Sequence, residues 1–308
     1  MLGRQRAGAT KFDNGIQRQT MKWALKIAAK LILARLPVPY AYWKSIGIFR
    51  HGRMDSVDYP LKIFRLHADR AFPTGLMSAA TLLELGPGDS IASAIIGAAY
   101  GAKRIYLIDV GDFAKKDVAF YKSLAAALTT RGLSVPSLSH ATSFADVLQA
   151  CNAEYITDGL SGLKRIPTNS IDFAWSHSVL EHVRKQEFVH FLLELRRTLK
   201  PGAYASHNID FQDHLAGALN NLRFAERTWE SAFFVNSGFY TNRIPAIAMH
   251  QMFETVGFEI ALQGYGRWPQ LPTPRRAMHR DFRRYDDETL CIRTSHALLR
   301  KPTRDRSV

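Results

Sequence analysis

Short apolar runs alternate with longer amphipathic stretches through the central part of the chain. The short runs predict β-strands at 82–86, 104–109, 153–157, 171–176, 203–209, 258–263 and 296–300. The longer stretches predict helices at 91–100, 114–131, 186–199 and 244–256. Strand–helix alternation at this spacing is typical of an α/β fold, in which a parallel sheet carries helices on both faces.

Two segments break this alternation and predict insertions into the α/β domain. Residues 211–242 are rich in aromatic and amide side chains, and residues 265–294 are irregular, with prolines and arginines. We assign the α/β domain to 73–302, with both insertions on the side where a substrate would approach. Residues 303–308 form a basic tail.

The first 72 residues have a different pattern. Residues 17–36 predict an amphipathic helix. Its lysines recur every four residues and form a basic stripe at Lys22, Lys26 and Lys30. These lysines interrupt the apolar run, which argues against a signal peptide. The helix either lies on an anionic membrane surface or packs on the α/β domain. Aromatic side chains within 40–72 favour a helical cap over a linker.

The composition narrows the class of protein and its compartment. A chain of 308 residues with 46% hydrophobic content can bury a full core. Its two cysteines can form neither a disulfide framework nor a metal cage, which favours a reducing cytoplasmic compartment. No apolar stretch reaches the ~18 residues of a transmembrane helix. We therefore predict a cytoplasmic protein, with a peripheral position on the inner membrane face as an option.

Positive charge is concentrated at the two ends of the chain. The formal net charge is +14, and arginines and lysines cluster in the N-terminal arm and beyond residue 275. Such basic ends favour an anionic partner, which can be lipid headgroups, a phosphorylated carrier or nucleic acid.

A glycine-rich turn follows the first predicted strand. The segment reads Thr81-Leu82-Leu83-Glu84-Leu85-Gly86-Pro87-Gly88-Asp89-Ser90. Gly86 and Gly88 let the backbone approach a ligand, because a Cβ at either position would intrude. About 20 residues later the second strand ends in Asp109, where a carboxylate can accept hydrogen bonds from both hydroxyls of a ribose. This arrangement predicts a site for a nucleoside-bearing cofactor.

The details favour S-adenosylmethionine (SAM) over a dinucleotide. A dinucleotide fingerprint would place a third glycine at position 91, where this chain has Ile91. The carboxylate of Glu84 would repel phosphates, but it suits a ligand with a positive or hydrogen-donating end. We therefore predict that Glu84, Gly86, Gly88 and Asp109 bind SAM.

The chain resembles the class I SAM-dependent methyltransferases in three motifs that occur in the family's order. The first is the acidic residue and glycine turn of 84–90, with Ser90 in place of the family's last glycine. The second is Ser170 to Val183, which includes Leu180-Glu181-His182-Val183, and the third is Leu199-Lys200-Pro201-Gly202-Ala203-Tyr204. The resemblance covers roughly 75–302. It implies a Rossmann-like seven-stranded sheet whose last two strands are an antiparallel pair.

The resemblance also implies roles for residues at other strand ends. Asp158, after the third strand, matches the family's position for a contact to the adenine amino group. Ser176 and His177 end the fourth strand and would face the methionine half of SAM or the acceptor. Glu181 and His182 are read as a helix-capping carboxylate and a packed histidine. Related quinone methyltransferases bind a metal there with a further Glu, but this chain has Ser178 at that position, so no metal is predicted.

Polar residues after the fifth strand are candidates for acid–base chemistry. O-methyl transfer requires the acceptor hydroxyl to lose its proton, and histidine is the usual base. His207 and His214 are the candidate bases, and Asp210 or Asp213 could orient one of them. The alternative is a polar loop that caps a helix at 213–222.

The acceptor is the least determined part of the sequence-based hypothesis. Aromatics and amides in 211–242 suit stacking on sugar rings, and they equally suit an aromatic lid over the cofactor. Trp229-Glu230-Ser231 and Phe239-Tyr240-Thr241-Asn242-Arg243 resemble bacterial methyltransferases of surface-polysaccharide biosynthesis. This predicts O-methylation of a glycan or lipid-linked sugar. The alternatives are a small-molecule or quinone O-methyltransferase, an RNA methyltransferase, and a non-catalytic SAM-fold binding module. Nucleic acid is the less favoured partner, because no motif of base methylation follows the fourth strand.

Overall fold

A computed structural model describes residues 54, 56–75 and 78–304. The predicted basic helix at 17–36, the first part of the helical cap and the last four residues lie outside the described residues. Within the described ranges, no helix combines the length and apolar character needed to span a membrane.

The described elements follow the predicted alternation. The strands are β1 (Thr81–Leu85), β2 (Arg104–Ile108), β3 (Ala153–Ile156), β4 (Ile171–His177), β5 (Leu199–Asp210), β6 (Glu259–Arg267) and β7 (Ile292–Arg300). The helices up to β5 are α1 (Asp58–Ala71), α2 (Ala92–Ala99), α3 (Val118–Thr130), α4 (Phe144–Ala150), α5 (Gly159–Arg165) and α6 (Phe188–Thr198). Those after β5 are α7 (Glu226–Trp229), α8 (Ala232–Val235), α9 (Ala246–Thr255), α10 (Arg280–Arg283) and α11 (Asp287–Leu290).

The described strands form one seven-stranded sheet in the order β3-β2-β1-β4-β5-β7-β6. Strands β1 to β5 pair in parallel. β7 lies between β5 and β6 and is antiparallel to both. The predicted Rossmann-like sheet, with its final antiparallel pair, is confirmed. The strand order reverses between β1 and β4, and in open α/β sheets ligands bind at the carboxyl ends of the strands beside such a reversal.

Two apolar layers cover the sheet. Leu82 belongs to a core formed with α1, α2 and α3, whereas its neighbour Leu83 belongs to a core formed with α5, α6 and α9. Every residue of β1 is buried, as expected for a central strand covered on both faces. α1 joins the first layer through Phe64, whose ring meets Trp175 edge-on at 5.4 Å between centroids. The helical cap thus packs on the α/β domain in its described part.

The structure corrects several predicted boundaries. Two short helices, α4 and α5, flank β3 in a region where no helix is predicted. β5 begins at Leu199, so the preceding helix ends one residue earlier than predicted. Residues 265–294 are not irregular throughout, because β6 continues to Arg267 and β7 begins at Ile292.

The insertion at 211–242 folds around small cores of its own. Trp229, Phe234, Phe239 and Tyr240 bury one another. The predicted helix at 213–222 is not formed, and a loop is organised there by the buried carboxylate of Asp213. Its Oδ1 accepts from the N–H groups of Leu215 and Ala216, and its Oδ2 accepts from Asn220. These aromatics therefore pack the insertion and are not exposed for stacking on a sugar.

Candidate active site

The glycine turn lies at the carboxyl end of β1, beside the reversal in strand order. Gly86 has φ +70°, and its N–H donates to the Ile108 carbonyl at 2.7 Å. A Cβ added to Gly86 would lie 2.4 Å from Cγ2 of Val179, in the segment after β4. Gly88 has φ +66°. Both glycines thus hold backbone conformations that other residues rarely adopt, and Gly86 also lets the β4 segment approach the turn.

Asp109 links the turn to the end of β2. Its Oδ2 accepts from the Gly88 N–H at 3.0 Å, and its Oδ1 accepts from the Val110 N–H at 2.7 Å. The residue is 8% exposed. Each carboxylate oxygen can accept more than one hydrogen bond, so this fixed carboxylate suits the paired hydroxyls of a ribose.

Glu84 lies beneath the turn with an unsatisfied oxygen. It is 3% exposed, and its Oε1 accepts from Nε1 of Trp175 at 3.2 Å. No described residue hydrogen-bonds to Oε2. Burial, with a smaller contribution from the charge of Asp109, raises the pKa of Glu84 to about 7. A buried carboxylate oxygen without a hydrogen bond is costly, and a ligand that brings an ammonium or N–H group would remove that cost.

These observations fit SAM. The glycine turn leaves space, Asp109 can accept from ribose hydroxyls, and Glu84 can accept from the ammonium group of the methionine half. The structure therefore brings together four of the predicted cofactor residues, Glu84, Gly86, Gly88 and Asp109.

Asp158 follows β3 beside Asp109, because the N–H of Gly159 donates to the Asp109 carbonyl at 2.8 Å. Its carboxylate pairs with the guanidinium of Arg165, with Nη2 at 3.0 Å from Oδ1, and this ion pair lowers the pKa of Asp158. The side chain is 47% exposed. A contact from Asp158 to an adenine amino group would have to break this ion pair. Val110, directly after Asp109, is an apolar residue with 79% of its surface exposed, and it was not among the predicted site residues. Its position, directly after an acidic residue that ends a strand, could have indicated it.

Ser176 and His207 face the core. Ser176 Oγ lies 2.8 Å from Nδ1 of His207, and both residues are fully buried. Burial lowers the pKa of His207 to about 3. An imidazole with so little affinity for a proton and no exposed surface is a poor base for an incoming acceptor. The structure thus argues against His207 as the base.

His177 lies at the carboxyl end of β4 and is half-buried. Its Nδ1 is 3.3 Å from Nε2 of His67 on α1, and Nδ1 of His67 is 2.8 Å from Oγ of Ser206. Burial, followed by the charge of Arg70, lowers the pKa of His177. No local pattern indicates His67, because α1 reaches the sheet only through tertiary packing.

His214 and His182 form a stacked pair with centroids 4.8 Å apart. His182 Nδ1 lies 2.8 Å from the carbonyl oxygen of Tyr240, which can only accept. A neutral His182 therefore donates through Nδ1 and accepts through Nε2. His214 Nε2 lies 3.1 Å from Nε2 of His182 and donates to it in the neutral pair. Both histidines are exposed at the acceptor edge of the sheet.

Glu181 is not the helix-capping carboxylate that the sequence suggested. It is 2% exposed, and its Oε1 accepts from the Asp210 N–H at 3.3 Å. Its Oε2 has no partner among the described residues, and burial raises the pKa of this carboxyl well above its usual range. Asp210, the third predicted catalytic residue, accepts through Oδ1 from the side chain of Gln212 at 2.9 Å. In the described ranges no group of three or more His, Cys, Asp or Glu residues could bind a metal ion.

Comparison with protein families supports the same cofactor. Residues 83–206 match the family model Methyltransf_11, described as a methyltransferase domain. The matched region contains the glycine turn, Asp109, β4 and most of β5. With the sheet order and the site geometry, this match defines a class I SAM-dependent methyltransferase, and SAM is its cofactor. A comparison with curated proteins found no match.

Solved structures with a similar fold include several methyltransferases. A SAM-dependent methyltransferase from Methanosarcina mazei is 18% identical, covers 76% of this chain and 97% of its own, and has a TM-score of 0.45. One from Mesorhizobium loti is 13% identical, with coverages of 80% and 100% and a TM-score of 0.43. Phosphoethanolamine N-methyltransferase 2 from Haemonchus contortus, in complex with SAM, is 12% identical, with coverages of 80% and 52% and a TM-score of 0.44.

Proposed function

We propose that this enzyme transfers the methyl group of SAM to a hydroxyl of a glycan or a lipid-linked sugar. The observation that carries the cofactor half of this proposal is the buried, unpartnered oxygen of Glu84 beneath the glycine turn. Bound SAM supplies an activated methyl group on its sulfonium. The chain's own task is to hold SAM and to place the acceptor oxygen in line with that methyl group.

Each cofactor residue has a distinct role in the proposal. Gly86 and Gly88 keep the turn free of side chains, so that the backbone lies against the ligand. Asp109 accepts hydrogen bonds from the ribose, and Glu84 pairs with the ammonium group. Ser176 stays a support beneath the site because its hydroxyl is occupied with His207. Asp158 stays a prediction for the adenine amino group, weakened by its ion pair with Arg165.

His214 is the base that the geometry favours for an acceptor hydroxyl. The pairing with His182 orients its ring, and it is exposed where an acceptor would approach. His182, fixed by the Tyr240 carbonyl, acts as a positioning residue. A base of this kind contributes about 10²- to 10⁴-fold in rate, and positioning of the acceptor supplies the rest. Asp210 stays a candidate for orienting the acceptor.

The basic ends of the chain support an acceptor held near an anionic surface. The lysines at 22, 26 and 30 lie four residues apart, so a helix would carry them on one face. We propose that this segment brings the enzyme to the inner membrane face, near a phosphate-bearing lipid carrier. Flotation with anionic vesicles should fall when the three lysines are changed to glutamine. Equal flotation of both proteins would contradict the membrane proposal.

Methyl transfer from labelled SAM tests the acceptor class. The full chain is incubated with nucleotide sugars, polyprenyl-phosphate-linked sugars, a catechol as quinol analogue, and RNA. The proposal expects label in a sugar as an alkali-stable methyl ether, and no label with Asp109→Ala. Label in the catechol or in RNA, with none in the sugars, would contradict it.

A further inference from the structure

A pocket lies at the carboxyl edge of β5, beneath the two insertions. The empty volume of the pocket, including the solvent-filled mouth, is about 490 Å³. The walls include Glu181 and Asp210 from the sheet edge, Asn221 and Arg243 around the first insertion, and Phe282 from the second. Glu181 is two residues beyond Val179, whose side chain lies beside Gly86 of the cofactor turn.

Three residues that line this pocket each have a buried polar atom without a hydrogen-bond partner among the described residues. Seven buried side-chain nitrogen or oxygen atoms in the described part of the chain lack a hydrogen bond. Three of the seven belong to residues that line this pocket, namely Oε2 of Glu181, Oδ1 of Asn221 and Nε of Arg243. Glu181 and Asn221 are each 2% exposed, and Arg243 is 6% exposed. Each unsatisfied group costs about 1–3 kcal/mol, so their concentration in one place indicates that a polar ligand completes the pocket.

The surrounding contacts hold these groups in place. Arg243 Nη2 pairs with Glu226 at 2.7 Å, and its Nη1 donates to the Phe224 carbonyl at 2.7 Å. The Nε–H is therefore the part of this guanidinium left for the pocket. Asn221 donates through Nδ2 to Thr241 Oγ1 at 2.9 Å, which leaves its carbonyl oxygen as an acceptor. Oε1 of Glu181 is fixed by the Asp210 N–H.

The polarity of the pocket selects the ligand. Oε2 of Glu181 and Oδ1 of Asn221 can accept, and Nε of Arg243 donates. Burial raises the pKa of Glu181, so its protonated form can also donate. A cation would meet the guanidinium of Arg243, and an anion would meet the carboxylate of Asp210. A hydroxyl group carries no charge and both donates and accepts, so a set of hydroxyls can satisfy all three atoms.

The rest of the wall suits the carbon skeleton of such a ligand. Apolar side chains surround the polar atoms, at Phe211, Leu219, Leu222, Ile244, Leu290 and Ile292. The cavity volume is about 40 Å³, enough for a hydroxyl or hydroxymethyl group and too small for a whole ring. A ring would therefore insert one hydroxylated edge and leave the remainder at the mouth.

We infer that this pocket binds the non-reacting hydroxyls of the methyl acceptor, and that the acceptor is a neutral polyhydroxylated ring such as a sugar. This inference rests on the proposed function and adds to it the residues that select the substrate, Glu181, Asn221 and Arg243. The hydroxyl edge held here fixes the ring, so that another hydroxyl of the same molecule faces the methyl group of SAM.

Binding of simple glycosides to the full chain tests the inference. The protein is saturated with S-adenosylhomocysteine, and methyl α-glucoside, methyl α-mannoside and methyl α-rhamnoside are titrated in turn, with ethanolamine as the cationic comparison. We expect at least one glycoside to bind with a millimolar Kd and to shift the NMR signals of the Ile244 and Leu290 methyl groups, but not those of Ile95. Glu181→Gln should raise that Kd about tenfold, because an amide N–H group replaces a side-chain oxygen that the ligand contacts.

Glu230→Gln is the matched control. Like Glu181, Glu230 has a buried carboxyl oxygen without a partner, in this case Oε1. Glu230 lies in the first insertion but does not line the pocket. Its substitution should leave the glycoside Kd unchanged. The NMR shifts of the Ile244 and Leu290 methyl groups are measured in the unmodified protein. They therefore test the inference even if Glu181→Gln does not fold.

Three outcomes would overturn the inference. These are no glycoside-dependent shift at Ile244 and Leu290, shifts caused by ethanolamine alone, and equal effects of the two substitutions. Binding of S-adenosylhomocysteine in the same sample separates the two proposals. If it binds and the glycosides do not, the pocket inference fails alone. If it does not bind, the proposed function fails, and the acceptor pocket fails with it.

Discussion

Replacing Gly86 with alanine tests the geometry of the cofactor turn. The substitution adds one methyl group at a residue with φ +70°, at a point 2.4 Å from Cγ2 of Val179. Carbon atoms in normal contact lie about 3.5–4.0 Å apart, so either the turn or Val179 must move. Two separate costs follow, one from the backbone conformation and one from the clash.

The magnitude of each cost can be worked out separately. An L-residue in the left-handed region loses about 1–2 kcal/mol relative to glycine. Forcing Val179 away from its rotamer adds about 0.5–1.5 kcal/mol. Gly101 provides the matched control, because it has φ +83° and no atom within 4 Å of an added Cβ. Gly101→Ala should therefore lower the free energy of unfolding by the backbone cost alone, about 1–2 kcal/mol. Gly86→Ala should lower it by about 1.5–3.5 kcal/mol, the sum of both costs.

Urea unfolding and SAM titration together measure the effect. Gly86→Ala should lower the free energy of unfolding more than Gly101→Ala, and it alone should weaken SAM binding. Adding Val179→Ala should recover part of the loss, since it removes the clashing methyl group. Equal losses for the two alanine variants, with equal SAM affinities, would refute the reasoning.

Four further substitutions have defined outcomes. The raised pKa of Glu84, about 7, means that its contribution to stability is present below its usual pKa and is lost as pH rises through 7. Urea unfolding without SAM measures this effect. Between pH 4.5 and pH 8, the unfolding free energy of the unmodified protein should fall by about 3 kcal/mol relative to that of Glu84→Gln. A difference between the two proteins that does not change with pH would contradict this. His214→Asn should lower kcat about 10²-fold or more with KM little changed, whereas His207→Asn should act mainly on thermal stability; the opposite pattern would restore His207 as the base. Asp213→Ala should cost about 2–4 kcal/mol of unfolding free energy, because four hydrogen bonds to one buried carboxylate are lost, and an unchanged melting temperature would contradict that role.

The strands and the cofactor turn could be predicted because their signals are local. Apolar runs mark buried strands, and Gly86 and Gly88 mark a turn that needs positive φ. The register of neighbouring strands carries no such signal. Ser176 pairs with His207 across β4 and β5, and this register turns both side chains into the core. Because successive strand residues face opposite sides, position at a strand end alone could not tell an exposed histidine from a buried one.

The acceptor pocket could not be predicted for a different reason. Glu181 and Arg243 are separated by an entire strand and an insertion, and only the folding of that insertion brings them to one cavity. The aromatic residues of 211–242 predicted stacking on a sugar ring, but in the structure several of them bury one another. The polar residues that line the cavity, such as Asn221, had no pattern that distinguished them from other loop residues.

Calorimetric titration of SAM into the full chain tests the central claim most directly. The account predicts saturable binding at one site. Asp109→Ala should weaken it about tenfold or more, because a buried acceptor to the ribose is removed. Asp58→Ala, which removes an exposed carboxylate paired with Arg131 directly after α3, should leave the affinity nearly unchanged. No binding of SAM, or equal weakening by both substitutions, would contradict the claim that the glycine turn and Asp109 form the cofactor site.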